Sequence, residues 1–219
     1  MKKIGAYWVP DIDAKEGKNL DRSKLAFEEG EGIQIKNLQR AMQWFTKFDL
    51  AIDGGANVGS WTRLLAEKFS VVHSFEPNHE AFLCLQRNID EWGLSNKVVL
   101  HEQALSDFSG FVSVLPAGGK RTVTAKVMGS GPTEAITIDS LNLAGCSFIK
   151  LDIEGYEAKA LLGATQTIKL LRPWILIENK KRRSFFFQKR SEAEKVLREW
   201  KYTLAEKIGS PPIDWLYKP

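Results

Sequence analysis

Apolar residues between residues 48 and 178 fall into short runs that alternate with segments of helical periodicity. The runs predict strands at 48–53, 71–76, 97–102, 147–152 and 173–178, and the periodic segments predict helices at 58–69, 78–92 and 156–170. The strands are apolar throughout, which is typical of a parallel sheet covered on both faces. The pattern therefore predicts an α/β fold with a mostly parallel central sheet and helices on both faces.

One segment interrupts this alternation. Residues 108–137 carry two runs of alternating apolar and polar residues around Gly118 and Gly119. Alternation on either side of glycines is typical of a β-hairpin. We therefore predict a β insert at 108–137, between the third and fourth main strands.

The two ends of the chain carry weaker patterns. Residues 1–30 are polar and irregular, and we interpret them as an N-terminal arm or lid. A helix is predicted at 33–47, and we assign residues 1–45 to this arm and helix. After residue 190 the pattern predicts a helix from Ser191 to about Trp200 and strands at 202–208 and 213–217. We see no linker, and we predict that residues 1–219 form a single domain.

The composition is that of an ordinary soluble protein, with 43% hydrophobic and 26% charged residues. The net charge of +4 tolerates a polyanionic partner without requiring one. No apolar run reaches the roughly 20 residues needed to span a bilayer, and no hydrophobic segment follows the basic start. Cys84 and Cys146 lack metal-ligand spacing. We expect a cytoplasmic protein with reduced cysteines and no membrane partner.

The candidate chemistry begins where the first main strand ends, in Asp53. A glycine-rich turn follows, made of Gly54, Gly55, Ala56, Asn57, Val58 and Gly59. The second strand ends in Glu76, which is placed to accept hydrogen bonds from both hydroxyls of a ribose. The turn has neither the dinucleotide fingerprint nor a phosphate-loop lysine. A nucleoside without phosphate, such as S-adenosylmethionine, therefore fits better than NAD or ATP.

Polar residues also follow the other main strands. Gln103 and Ala104 follow the third strand, the fourth ends in Lys150 and Asp152 with Glu154 just beyond, and the fifth ends in Glu178. Ligands of such sheets bind at the carboxyl ends of the strands. We therefore expect these residues to converge on one rim.

Six motifs of this region, in order from about residue 50 to residue 178, resemble the FkbM-type methyltransferases. They are Asp53-Gly-Gly-Ala-Asn-Val-Gly59, Phe75-Glu-Pro77, Thr137-Ile-Asp-Ser-Leu141, Ile149-Lys-Leu-Asp-Ile-Glu-Gly155 with Glu157, Leu162-Gly-Ala164, and Arg172-Pro173 with Glu178. The resemblance implies the class I Rossmann-like fold and an enzyme that uses S-adenosylmethionine. It also implies O-methylation, with a small-molecule or glycan hydroxyl as the acceptor.

The predicted site follows from these positions. The predicted cofactor-binding residues are Asp53, Gly54, Gly55, Ala56, Asn57, Gly59 and Glu76, with Gln103 and Ala104 at the adenine. Methyl transfer to a hydroxyl needs an aligned acceptor and removal of a proton. The catalytic candidates are Asp152 first, Lys150 second and Glu154 third. An internal salt bridge that fixes the turn is the alternative for Lys150.

Three alternatives stay open at this stage. Oxygen ligands from Asp152, Glu178 and Asn179 suit Mg²⁺, although the predicted site contains no metal. The basic run 180–183 with the aromatic residues 185–187 suits single-stranded nucleic acid. Lys36, Asp152, Lys180 and Glu206 would then permit a ribose 2′-O-methyltransferase arrangement. The third alternative is a cofactor-binding module without catalysis.

The sequence does not identify the acceptor or the oligomeric state. Trp8, in the predicted lid, is the tryptophan that we expect to touch a substrate.

Overall fold

The computed structural model describes residues 1–11, 13, 35–116, 125–178, 191–209 and 214–219. Its strands, in chain order, are β1 (Lys2–Ile4), β2 (Tyr7–Val9), β3 (Leu50–Gly54), β4 (Val71–Phe75), β5 (Val98–His101), β6 (Ala104–Leu105), β7 (Gly110–Pro116), β8 (Ala125–Ile136), β9 (Phe148–Leu151), β10 (Trp174–Glu178), β11 (Thr203–Ile208) and β12 (Asp214–Lys218). Its helices are α1 (Ile35–Met42), α2 (Ser60–Lys68), α3 (His79–Glu91), α4 (Glu157–Leu162), α5 (Thr165–Leu171) and α6 (Ser191–Glu199), with a short 3₁₀ helix at Asp139–Leu141.

A seven-stranded sheet with the order β11-β12-β10-β9-β3-β4-β5 forms the centre of the protein. Strands β3, β4, β5, β9 and β10 pair in parallel, and β12 is antiparallel to both of its neighbours. The predicted fold class, an α/β fold with a mostly parallel central sheet, is confirmed. Strand order reverses between β3 and β9, where such sheets place their ligands.

Each face of the sheet is covered by helices. On one face, Leu38 of α1 and Leu65 of α2 pack against Ala51. On the other, Leu161 of α4 and Ile168 of α5 pack in the same cluster as Ile52. Consecutive residues of β3 thus enter opposite cores, which explains why the strand is apolar throughout.

The helix predicted at 156–170 is wrong as a single element, because the structure has α4 and α5 with a break at Gly163 and Ala164. A Cβ atom at Gly163 would collide with the carbonyl oxygen of Ser106. The carboxylate of Asp139 then accepts hydrogen bonds from the amides of Gln166 and Thr167, which stabilises the start of α5. Both contacts come from distant parts of the chain.

The predicted β insert is confirmed by the antiparallel pairing of β7 with β8. Strand β6, which the sequence pattern did not predict, pairs in parallel with β8 and completes a three-stranded sheet. The predicted glycine turn at Gly118 and Gly119 lies outside the described residues.

The expected irregular arm is wrong for the first nine residues. Strands β1 and β2 form a hairpin, in which Tyr7 and Val9 are buried against Cys84 of α3. Trp8 donates its indole hydrogen to Glu91 at the end of α3. Its expected contact with a substrate stays a prediction.

Helix α1 ends at Met42, five residues earlier than predicted. The chain continues as tight turns that bring Phe45 against the ring of Phe148, with 4.8 Å between the ring centroids. Within the described part of the chain, no helix combines the length and apolarity that a membrane crossing requires.

We expect Gly163→Ala to lower the free energy of unfolding by about 3 kcal/mol, because the added methyl group collides with backbone. Gly93→Ala is the matched control, since no heavy atom lies within 4 Å of its Cβ position and only the positive φ of 66° opposes it. That strain costs about 1 kcal/mol. Urea unfolding of both variants measures the difference. A Gly163→Ala variant as stable as the wild type would contradict this packing.

Candidate active site

A buried ion pair joins the carboxyl ends of β3 and β9. Asp53 and Lys150 are in register on the two neighbouring strands, and the lysine Nζ lies 2.9 Å from Asp53 Oδ1. The side chains are 0% and 3% exposed. Lys150 also donates to the carbonyl oxygen of Gly55 at 2.9 Å. The pair therefore ties the glycine turn to β9.

Asp53 has a second set of partners on α2 and β4. Its Oδ2 accepts a hydrogen bond of 2.7 Å from the hydroxyl of Thr62, which lies 3.1 Å from the hydroxyl of Ser74. All of these side chains are buried. Thr62 and Ser74 could not be predicted from the sequence, because a hydroxyl on a helix or strand carries no signal of its distant partner.

The charge of Lys150 is stabilised by its surroundings. Burial acts to lower the pKa of Lys150, but the negative charges of Asp53, Asp152 and Glu178 outweigh it and raise the pKa above its usual value. Lys150 thus stays protonated at neutral pH. The salt bridge that was the alternative for this residue is present in the structure.

The backbone of the glycine turn is held by β4 and β9. The amides of Gly55 and Ala56 both donate to the carbonyl oxygen of Phe75, at 3.0 and 2.9 Å. A Cβ atom at Gly55 would collide with the carbonyl oxygen of Asp152, and its φ of +77° also favours glycine. The contact with Asp152, just after β9, is therefore sufficient by itself to require glycine at position 55.

Glu76 lies beside the turn, where β4 ends. Its two carboxylate oxygens accept hydrogen bonds from the amides of Asn57 and Asn78, at 2.8 and 2.9 Å. Burial raises the pKa of Glu76 to about 7, against the opposing effect of these two amides. Asn78 in turn caps α3 by accepting from the amide of Ala81. Asn78 was not among the residues predicted for the site, although an asparagine before a helix is a known capping signal.

Three carboxylates meet at the ends of β9 and β10. Oxygen atoms of Asp152, Glu154 and Glu178 all lie within 4.8 Å of one another. Glu154 has a φ of +55°, and Gly155 follows with a φ of +101°. The predicted convergence of these strand ends on one rim is therefore observed.

The turn that carries Glu154 is held by Glu157. Its Oε1 accepts hydrogen bonds from the amides of Ile153 and Gly155, at 3.2 and 3.0 Å. Burial raises the pKa of Glu157 to about 7. The left-handed backbone of Glu154 is thus maintained by a carboxylate three residues later in the chain.

Gln103 and Ala104, the two residues predicted at the adenine, have different surroundings from each other. Gln103 is half-buried between β5 and β6. Ala104 is buried against Val112 and Ala135 of the three-stranded sheet, so its side chain packs inside the insert. A ligand could therefore contact the backbone of Ala104 but not its side chain.

In the ribose 2′-O-methyltransferase alternative, the expected position of Glu206 beside Asp152 is wrong. Glu206 lies on β11, at the outer edge of the sheet, and accepts hydrogen bonds from Arg40 and Trp44. Strands β12 and β10 separate it from β9, a distance of about 14 Å at the usual strand spacing. The basic run 180–183 and the aromatic residues 185–187 lie outside the described residues.

The Mg²⁺ alternative has partial geometric support. Asp152 and Glu178 are close together, and Glu154 joins them, whereas Asn179 lies outside the described residues. Carboxylate groups of this kind are common without a metal. We therefore assign no metal to the site.

The sheet order, the glycine turn and the carboxylate after β4 define a Rossmann-like methyltransferase. Residues 53–204 match the model of the "Methyltransferase FkbM domain" family. This match covers more than half of the chain, and the protein belongs to the FkbM methyltransferase family. The resemblance noted from the six motifs is confirmed.

Two kinds of relatives support the assignment. The chain is 29% identical over 136 residues to the hexuronic acid methyltransferase AglP of Haloferax volcanii, a region that covers 59% of this chain and 55% of the relative. The FkbM methyltransferase structure from Methylobacillus flagellatus KT matches with a TM-score of 0.56 and 18% identity, over 82% of this chain and 47% of that chain. The chain thus spans about half the length of both.

The fold is also shared with the magnesium protoporphyrin IX methyltransferase ChlM of Synechocystis PCC 6803, a structure with bound S-adenosylmethionine. The TM-score is 0.53 at 12% identity, over 94% of this chain and 86% of that chain. At this identity the likeness concerns the fold alone.

We expect Lys150→Met to lower the free energy of unfolding by about 3–5 kcal/mol, because it leaves the buried charge of Asp53 without its partner. The double variant Asp53→Asn/Lys150→Met should regain much of this loss. Lys159→Met is the control, since its ion pair with Asp107 is partly exposed and worth about 0–1 kcal/mol. Urea unfolding tests the series, and equal losses for Lys150→Met and Lys159→Met would contradict a buried pair.

Proposed function

We propose that the protein transfers the methyl group of S-adenosylmethionine to a hydroxyl of a sugar or another small metabolite. The observation that carries this proposal is the fixed carboxylate of Glu76 beside the glycine turn. Two backbone amides orient it at the carboxyl end of β4. A carboxylate in this place can accept hydrogen bonds from both hydroxyls of a ribose.

The glycine turn would hold the methionine end of the cofactor. Both oxygens of Asp53 are already engaged, with Lys150 and Thr62. We therefore assign Asp53 to holding the turn in place. The half-buried residues of the turn, Gly55 and Asn57, rather than this buried carboxylate, would contact the cofactor.

The sulfonium of S-adenosylmethionine is already activated, so the protein has to align the acceptor and remove its proton. A protonated lysine cannot accept that proton, and this argues against Lys150 as the base. Asp152 and Glu154 are carboxylates at the end of β9, next to the turn. We assign the proton acceptor to Asp152, with Glu154 as the second candidate, and to Lys150 a purely electrostatic role.

Three carboxylates lie together at the rim among the described residues. Hydroxyls of a sugar can donate hydrogen bonds to carboxylates. A sugar hydroxyl therefore suits this rim as the acceptor, and one relative is named for a hexuronic acid.

Thermal unfolding with S-adenosylmethionine and with S-adenosylhomocysteine tests cofactor binding. A ligand at a hundred times its Kd should stabilise the wild type by about 2.7 kcal/mol. Glu76→Ala should abolish the shift, because the ribose contact is lost. Leu170→Ala, at a side chain that is 79% exposed, is the control and should keep it. No shift of the wild type with either ligand would contradict the proposal.

Cofactor binding should depend on pH through Glu76. Because the folded pKa is raised from the usual 4.5 to about 7, this group favours folding fully below pH 4.5, and that contribution is lost as the pH rises through 7. Ribose hydroxyls favour the ionised form, so the Kd for S-adenosylhomocysteine should fall as the pH rises to 7 and then level off. Glu76→Gln should remove this dependence, whereas the same dependence in Glu76→Gln would assign it to another group such as Glu157.

Methyl transfer to neutral sugars and to uronic acids tests the acceptor. We expect Asp152→Asn to slow transfer by about 10²–10⁴-fold, because it removes the proton acceptor, while the Kd for S-adenosylhomocysteine stays within twofold. Glu206→Gln, on β11 at the outer edge of the sheet, is the control. Full activity of Asp152→Asn would contradict its assigned role. Binding of the cofactor without transfer to any acceptor would favour a non-catalytic module.

A further inference from the structure

The N-terminal hairpin of β1 and β2 packs on the back of the glycine turn. It lies outside residues 53–204, the part of the chain that matches the family. Val58 of the turn belongs to the same apolar cluster as Tyr7 and Val9 of the hairpin. The hairpin therefore lies outside the matched region and reaches the predicted cofactor site from behind.

Asn88 of α3 links the hairpin to the turn by hydrogen bonds. Its Oδ1 accepts from the amide of Trp8 at 2.6 Å, and its Nδ2 donates to the carbonyl oxygen of Trp8 at 3.0 Å. The same Nδ2 donates to the carbonyl oxygen of Val58 at 2.8 Å. The side chain is fully buried. One carboxamide thus bonds to β2 and to the residue before Gly59.

Trp92, just after α3, makes a second link. Its indole N–H donates to the carbonyl oxygen of Ala6 at 3.0 Å, and its ring meets the ring of Tyr7 edge to face, with 5.0 Å between the centroids. The same indole ring lies 3.3 Å from the position that a Cβ of Gly59 would take. Trp92 therefore contacts both the hairpin and the end of the turn.

The turn needs such support because of its backbone. Asn57 and Gly59 have φ angles of +51° and +95°, in the left-handed region that asparagine and glycine enter more readily than other residues. The amide of Asn57 is one of the two that orient Glu76. The left-handed conformation still costs free energy, which contacts with the surrounding structure can offset. The hydrogen bond from Asn88 to Val58 is directly next to it.

We propose that the hairpin and Asn88 position the glycine turn for the cofactor, so that they set its affinity without touching it. Asn88 is a positioning residue that acts through Val58 and Asn57 on Glu76. The proposal rests on the proposed use of S-adenosylmethionine. It assigns a function to residues 2–9, which lie beyond the family match.

The test compares Asn88→Ala with Tyr202→Phe, which removes a buried hydrogen bond to Pro173 on the other side of the sheet. The Kd for S-adenosylhomocysteine is measured by calorimetry, at a temperature where unfolding curves show every variant to be folded. We expect Asn88→Ala to raise this Kd at least tenfold and Tyr202→Phe to leave it within twofold. Unchanged affinity in Asn88→Ala would overturn the proposal.

Trp92→Phe keeps the proposal testable if Asn88→Ala does not fold. This change removes the hydrogen bond to Ala6 and keeps a ring beside Gly59, and we expect it to raise the Kd at least threefold. A Kd within twofold of the wild type would overturn the proposal.

Amide hydrogen exchange without ligand separates this proposal from the proposed function. The Gly59 amide, which is bonded to the carbonyl oxygen of Ala56, should exchange at least tenfold faster in Asn88→Ala than in Tyr202→Phe. Equal exchange in the two variants would overturn the positioning role, whatever the cofactor. A wild type that does not bind S-adenosylhomocysteine would instead overturn the proposed function.

Discussion

The site depends on one buried ion pair. A charge inside a protein is expensive unless it is paired and hydrogen-bonded, so Asp53 and Lys150 are constrained to each other's positions. They end neighbouring strands at the point where the strand order of the sheet reverses. The bond from Lys150 to the carbonyl oxygen of Gly55 extends this constraint to the backbone of the glycine turn.

The two turns that form the rim then fix each other. The amide of Asp152 donates to the carbonyl oxygen of Gly54 at 3.0 Å, and the carbonyl oxygen of Asp152 occupies the space where Gly55 would carry a side chain. A change in either turn therefore moves the other. This interlock places the carboxylates after β9 beside the turn after β3, as the proposed transfer between a cofactor and an acceptor requires.

Much of this site could be predicted from the sequence, because its signals are local. The apolar strands, the glycines and the residues that end the strands can each be recognised from a few neighbouring positions. These strand-end residues are Asp53, Glu76 and Asp152. The FkbM motifs cover the same stretch. Element boundaries were close for the same reason, since β4 was expected at 71–76 and is observed at Val71–Phe75.

The remaining features depend on contacts between distant parts of the chain. Strands of three residues, such as β1 and β2, carry too little pattern to predict, and their stability comes from packing on α3. The glycine at the break, Gly163, is required by the carbonyl group of Ser106, which lies 57 positions earlier in the sequence. Lys150 looked like a catalytic candidate because its partner, Asp53, lies 97 residues away. No local signal marks Asn88 as a link between two other elements.

The most direct test of the ion pair's role is calorimetric titration of S-adenosylhomocysteine into the double variant Asp53→Asn/Lys150→Met. This variant removes both charges of the pair together, so it should fold, and circular dichroism can establish that it does. If the pair holds the glycine turn in its binding conformation, the folded double variant should bind the ligand at least a hundredfold more weakly than the wild type. Affinity equal to that of the wild type would contradict the account.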